Sequence, residues 1–144
     1  MMEGKSAKEE LKRVDHLIFV TLKYTRTVDI IRNVIERLIS AMDYQVIELL
    51  EYYQEKGKVE QMPKVSLVRF RKVEELIPKD KIIKDIVDFY HNLRQILNSN
   101  YKKKEEFRKN VALVTPKEEV DIDKLKEYAD ITKKYIYYLE EQIK

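Results

Sequence analysis

The sequence predicts an all-α protein, an up-and-down bundle of four to five helices, from three observations. No glycine or proline occurs between Lys5 and Lys56. Apolar residues recur every three or four positions through most of the chain, which is typical of helices with one buried face. The chain of 144 residues contains only 2 glycines and 3 prolines. Five helical segments joined by short loops favour a single bundle domain over residues 1–144.

The first two helices are predicted from a capping box that opens at Ser6 and from apolar spacing up to Tyr53. One unbroken helix would be about 70 Å long, which is too long for a compact domain of this size. We therefore place a break between Tyr24 and Thr27 and expect the second helix to end at Gly57. One long helix in an extended or domain-swapped dimer is the alternative.

The middle of the chain predicts two further helices. A short helix is expected from Ser66 to Leu76, followed by Pro78. Asp80 is the expected cap of a longer helix that ends near Leu97, before a cluster of turn-forming residues.

The last third of the chain mixes charged and apolar stretches. The charged residues 101–110 are expected to be helical. The apolar run 111–114 is expected to be extended and to form a small hairpin with residues 119–122. The last helix should begin at Asp121 or Asp123 and continue nearly to the end.

Composition excludes several classes of protein. A hydrophobic content of 44% excludes a disordered chain, and the absence of cysteine excludes disulfides and thiolate metal sites. A net charge of +3 is far below that of proteins that wrap nucleic acid. No apolar run is long enough for a membrane span and the polar residues 1–10 do not resemble a signal peptide, so we expect a cytoplasmic protein. A charged fraction of 38%, rich in Lys and Glu, fits heat adaptation.

Catalytic and metal-binding patterns are sparse. The two histidines are His16 and His91, and only the Asp88-x-x-His91 pair approaches the spacing of a di-iron helix. His91 shares the polar face of its helix, so a solvated histidine is the simpler interpretation. We expect no metal and no cofactor. Motifs for a serine nucleophile, a phosphate loop or a zinc protease do not occur.

Two basic clusters lie next to aromatic residues, a combination that can hold RNA phosphates and stack bases. One surrounds Phe70 and the other follows Tyr101. The candidate phosphate contacts are Arg69, Arg71, Lys103, Arg108 and Lys109. Glutamates within one turn of both clusters partly cancel their charge, so a solvated charged face is the alternative.

Polar and aromatic residues also interrupt the helical patterns. Asp15 and Arg26 lie within apolar stripes and are expected to be held in structural ion pairs. Tyr135, Tyr137 and Tyr138 surround the last helix and cannot all face one core. Tyrosine is frequent at protein interfaces, so these residues suggest a homodimer.

Residues 106–111, the Thr115-Pro116 pair and residues 120–123, followed by the long last helix, resemble the carboxy-terminal half of HEPN domains. These domains are the helical partners of minimal nucleotidyltransferases, and many are toxin ribonucleases. The resemblance implies a helical bundle, a homodimer and an interaction with RNA.

The chain departs from this family at the residue that carries its chemistry. Family ribonucleases resemble one another in an arginine followed, after four to six residues, by a histidine. After Arg108, the corresponding positions hold Leu113, Val114 and Thr115. The sequence therefore favours a non-catalytic module that dimerises and binds RNA or a partner protein. A diverged ribonuclease that uses Arg108 with His91, and a structural subunit of an assembly, are the alternatives.

Overall fold

The computed structural model describes residues 6–144, which form five helices and one small sheet. Helix α1 consists of an α-helical part, a π-helical turn and a last α-helical turn, which are Ala7–His16, Leu17–Thr21 and Leu22–Tyr24. The other helices are α2 (Val28–Glu55), α3 (Ser66–Leu76), α4 (Lys81–Asn98) and α5 (Ile122–Glu141). The predicted break between α1 and α2 is confirmed, and a single helix does not form.

The caps of α2 follow the sequence prediction. At its start, the Thr27 hydroxyl accepts a hydrogen bond from the Ile30 amide at 3.4 Å. At its end, Gly57 adopts a left-handed φ of 78°. Its amide donates to the Gln54 carbonyl and the next amide donates to the Tyr53 carbonyl, which together form a Schellman motif.

Aspartates begin the two helices that follow a loop in the second half of the chain. Asp80 accepts hydrogen bonds from the amides of Ile82 and Ile83, at 2.9 and 3.1 Å, and so caps α4 as predicted. Asp121 accepts from the Lys124 amide at 2.8 Å, so Asp121 is the cap of α5 and Asp123 lies in its first turn.

The sheet corrects the prediction of a purely helical fold. Strands β1, β2 and β3 (Lys102–Lys104, Ala112–Val114 and Glu119–Asp121) are antiparallel and lie in that order. The predicted hairpin between β2 and β3 is confirmed, with Leu113 opposite Val120.

The helix predicted for residues 101–110 is wrong, because β1 pairs with β2 and places Lys103 opposite Leu113. This stretch has too few apolar residues to bury one face of a helix. As an exposed edge strand it needs none, and its three lysines discourage pairing with another sheet.

Helix α2 is the centre of the fold. It packs against each of the other four helices and against β2. The main hydrophobic core extends along it and includes side chains from all five helices together with Val111, Leu113 and Val120. Within residues 6–144, no helix combines the length and apolar character that crossing a membrane requires.

The tyrosines of α5 divide between the core and the surface. Tyr128 and Tyr135 both form T-shaped pairs with Phe89 on α4, with their ring centroids 5.7 and 5.5 Å from the Phe89 centroid. Tyr138 donates a hydrogen bond to Asp80, whereas Tyr137 is exposed. The expectation that they do not all face one core is therefore confirmed.

The two charges that interrupt the apolar stripes have different surroundings. Asp15 pairs with Lys133 of α5, with 2.7 Å between Oδ1 and Nζ, as expected of a structural charge. Arg26 forms no ion pair with any of residues 6–144 and is only partly buried. The predicted ion pair is thus confirmed for Asp15, and for Arg26 it does not occur within residues 6–144.

A buried aromatic stack joins α3 to α4 and generates a stability prediction. The rings of Phe70 and Tyr90 lie 3.8 Å apart and nearly parallel. We expect Phe70→Ala to lower the free energy of unfolding by about 3–5 kcal/mol, because it removes the ring and leaves a cavity. Urea denaturation followed by circular dichroism measures this loss.

The exposed Val68 on the same helix is the control, and Val68→Ala should cost no more than about 0.5 kcal/mol. Equal losses of unfolding free energy in the two variants would show that the stack does not stabilise the fold more than an exposed side chain does.

Candidate functional site

The five predicted phosphate contacts lie in two separate places. Arg69 and Arg71 are on α3, where Arg69 lies close to Asp43 of α2. The other three belong to the β1–β2 hairpin, whose loop is bonded to Val28 at the start of α2. Asp43 and Val28 are 15 positions apart on this helix, which corresponds to about 22 Å along its axis. The two groups therefore do not form one continuous RNA-binding surface.

Arg69 is occupied by contacts within the protein. Its Nη1 donates to the Pro63 carbonyl at 3.0 Å, and its Nη2 donates to the Ser66 hydroxyl at 3.0 Å. The side chain is half-buried and is attracted to Asp43. Phe70, its expected aromatic neighbour for bases, is buried in the stack with Tyr90. Only Arg71 is exposed on this helix among the predicted contacts.

A polar centre around Asp43 connects α2, α3 and α4. The Tyr90 hydroxyl donates to Asp43 Oδ1 at 2.7 Å, and Arg94 Nη1 donates to the Tyr90 oxygen at 3.2 Å. Burial raises the pKa of Asp43 by more than the hydrogen bond from Tyr90 and the charges of Arg69 and Arg94 lower it. Burial and the contact with Asp43 raise the pKa of Tyr90 to about 12, so Tyr90 remains a donor at neutral pH. The arrangement is that of a structural network.

The second place is the loop between β1 and β2, residues 105–111, which we name the Phe107 loop. Two hydrogen bonds attach it to the start of α2. The Glu106 carboxylate accepts from the Val28 amide at 2.9 Å, and the Phe107 amide donates to the Arg26 carbonyl at 2.7 Å. The carboxylate satisfies one of the free amides of the helix and lies at the positive end of its dipole.

The backbone of the Phe107 loop is strained. Glu105 and Phe107 have φ values of 47° and 69°, in the left-handed region that costs a non-glycine residue roughly 1–2 kcal/mol. Within the loop, the Arg108 amide donates to the Glu105 carbonyl and the Val111 amide donates to the Arg108 carbonyl. These bonds hold the loop in place, yet the side chain of Phe107 remains 75% exposed. The strain therefore does not serve to bury the ring.

Two positive side chains follow the ring in sequence, and the exposed Glu105 lies two positions before it. Arg108 and Lys109 are exposed and form no ion pair with any other part of residues 6–144. Glu105 and Glu106 were both expected to cancel part of this charge. The Glu106 carboxylate caps α2, whereas Glu105 is exposed in the same loop. Lys103, the third predicted contact on this hairpin, lies 3.7 Å from Asp29 and is partly neutralised.

The two weak catalytic candidates are not placed together. His91 is exposed on the polar face of α4, as predicted. It follows Tyr90, whose hydroxyl reaches Asp43, whereas Arg108 follows Phe107, whose amide reaches Arg26. His91 therefore lies beside the middle of α2, near Asp43, whereas Arg108 lies beside the start of α2. Across residues 6–144, no three His, Cys, Asp or Glu side chains come together as a metal site would require.

Sequence reasoning missed Phe107 because it assigned the aromatic role to Phe70 and Tyr101. Tyr101 lies against Arg32, whose guanidinium carbon is 4.3 Å from the ring centroid. The sequence did contain a sign that Phe107 is unusual, because it is the one apolar residue within the charged stretch 102–110.

No protein-family model matches the chain, and neither a curated protein nor a solved structure is significantly similar to it.

The half-buried carboxyl of Asp43 predicts a defined pH dependence of stability. Its pKa in the folded protein is raised above 3.8, so the folded state holds this proton more tightly than the unfolded chain does. The resulting stabilisation is complete below about pH 4 and is lost as the pH rises through the raised pKa. Asp43→Asn cannot titrate, so its unfolding free energy should increase relative to wild type between about pH 3 and pH 7.

Urea denaturation at a series of pH values measures this difference. The same substitution at Asp88, an exposed residue of α4, is the matched control. A difference between Asp43→Asn and wild type that decreases with rising pH would contradict the burial of the Asp43 charge.

Proposed function

We propose that the protein is a non-catalytic, HEPN-like helical module that dimerises and binds single-stranded RNA through the Phe107 loop. The observation that carries the RNA part is the exposed ring of Phe107, held in a strained loop beside two cations that form no ion pair within residues 6–144. The resemblance of residues 106–123 to HEPN domains is what favours RNA as the ligand over a partner protein.

The proposed contact follows from the chemistry of the loop. Every base has an apolar face that can stack on an aromatic ring, and each stacked base contributes about 1–3 kcal/mol. Arg108 and Lys109 would bind the phosphates on either side of that base. Unpaired RNA is required because bases in a duplex are already stacked. Since the loop is bonded to α2, little of its backbone would need ordering on binding.

The absence of histidine from residues 105–111 supports a binding role over a ribonuclease. RNA cleavage by general acid–base catalysis needs a group that exchanges a proton near neutral pH. The loop offers guanidinium and ammonium groups, which bind phosphate through their N–H donors. His91 of α4 lies beside the middle of α2, whereas Arg108 lies beside its start. His91 is therefore not a candidate for proton exchange next to Arg108.

Fluorescence anisotropy with a labelled single-stranded RNA tests this proposal. We expect Phe107→Ala to weaken binding by about 1–3 kcal/mol, because it removes the stacking surface. Arg108→Ala should weaken binding and reduce the salt dependence by about 0.7 in the logarithmic slope, one phosphate contact. Arg71→Ala on α3 is the control, since this arginine is also exposed but is distant from the loop.

Two results would refute RNA binding by this loop. One is the absence of RNA affinity even at about 50 mM salt, where phosphate contacts are strong. The other is an unchanged affinity in Phe107→Ala. Either result would leave the exposed ring as a contact for a partner protein.

The dimer is proposed from a separate group of exposed apolar residues. Phe19 and Tyr24, near the end of α1, are 56% and 84% exposed, and Val20 between them is also exposed. Lys126 lies over the Phe19 ring, with its Nζ 5.5 Å from the ring centroid. Apolar residues grouped in this way are typical of surfaces that contact another protein.

Sedimentation equilibrium tests the dimer. We expect wild type to dimerise and Phe19→Glu to be monomeric, because a buried carboxylate without a partner opposes association. Val65→Glu is the control, since Val65 is as exposed as Phe19 but lies before α3. A wild-type protein that is monomeric at about 100 µM would associate by less than about 5.5 kcal/mol, which would contradict the proposed dimer.

A further inference from the structure

A small cleft lies between α1 and the first half of α2, apart from the Phe107 loop and the Asp43 centre. Its volume is about 240 Å³. It is lined by Arg13, His16, Leu17, Thr21, Asn33 and Arg37. Two of these side chains are guanidinium groups, three others carry polar atoms and none is a carboxylate. The cleft therefore offers hydrogen-bond donors and positive charge to an anion.

A buried glutamate organises the two arginines. Glu10 is 2% exposed, and its carboxylate lies 2.9 Å from Arg13 Nη1 and 3.3 Å from Arg37 Nη1. A buried carboxylate must be paired, so it restrains both guanidinium groups before any ligand arrives. One carboxylate balances only one of the two charges. Each guanidinium has five N–H donors, and the contacts with Glu10 use only Nη1 of each.

The nearby carboxylates of α1 are bound to other partners. Glu9 lies 3.6 Å from Lys12, and Asp15 lies 2.7 Å from Lys133 on α5. Neither residue lines the cleft. Within residues 6–144, Arg13 and Arg37 form an ion pair with no carboxylate other than Glu10, so the remaining positive charge of the pair is available to a ligand.

The π-helical turn of α1 forms one wall of the cleft. The amide of Leu22 donates to the carbonyl of Leu17, five residues earlier, which widens the helix at this point. Leu17 and Thr21, the first and last residues of this turn, both line the cleft. Such turns are rare and occur frequently at functional sites, because the extra residue changes where side chains point.

We propose that this cleft binds a terminal phosphate group, the dianion of a phosphate monoester or of inorganic phosphate. A guanidinium fork matches two phosphate oxygens at once, and two such groups are held here by Glu10. The hydroxyl of Thr21 and the amide of Asn33 supply further donors from the cleft walls. The cleft is smaller than the roughly 300–1,000 Å³ of most small-molecule sites, which suits one phosphate group with the rest of a ligand outside.

Isothermal titration calorimetry at low salt, with inorganic phosphate and with adenosine 5′-monophosphate, tests the proposal. We expect one saturable site with a dissociation constant of about 1 mM or below. Tighter binding of the nucleotide would identify an esterified phosphate as the preferred ligand. Equal or tighter binding of inorganic phosphate would identify the free ion.

Two variants locate the binding in the cleft. Arg37→Lys keeps a cation for Glu10 but loses the planar fork, so affinity should fall about tenfold. Asn33→Leu leaves the Glu10 contacts intact and removes one donor, so affinity should fall about threefold or more. Arg71→Lys, on the exposed face of α3, is the control and should bind as wild type does.

The proposal is overturned if neither ligand gives saturable binding up to about 10 mM. It is also overturned if Arg37→Lys and Asn33→Leu both bind as wild type while remaining folded by circular dichroism. RNA binding by the Phe107 loop is measured through Phe107→Ala, so the two proposals stand or fall separately.

Discussion

The burial of α2 is the constraint on which the rest of the structure depends. Its buried residues occur on so much of its circumference that one neighbouring helix could not cover them. The other four helices and β2 surround it and remove its apolar side chains from water. The hydrophobic contribution to stability is proportional to the apolar area removed from water. The central helix therefore contributes the largest share of this stabilisation.

The polar groups that α2 carries into these contacts determine where its neighbours are held. Its first amide is capped by Glu106, Arg37 pairs with the buried Glu10, and Asp43 accepts from Tyr90. Each contact joins α2 to a different element, namely the Phe107 loop, α1 and α4. Polar groups that lose water must find partners, so these contacts have little freedom to rearrange.

In two of the regions that depart from regular geometry, the departure does not improve burial. The left-handed backbone at Phe107 leaves its ring in water, and the π-helical turn leaves Phe19 and Val20 exposed. Strain that does not improve packing is typical of sites under functional constraint. The RNA and phosphate proposals rest on these two regions, and the exposed residues of the turn are also the proposed dimer contact.

Sequence alone determined the helices, because their signals are local. Apolar spacing and the caps at Thr27, Gly57, Asp80 and Asp121 act within one or two turns of the chain. Tertiary structure alone decided the fate of residues 101–110. Strand β1 exists through pairing with β2, and Glu106 reaches an amide 78 positions away. The spacing of apolar residues contains no information about such distant partners. The strand, the loop and the pairing of Glu10 with Arg37 therefore follow from the tertiary structure and could not be predicted from the sequence.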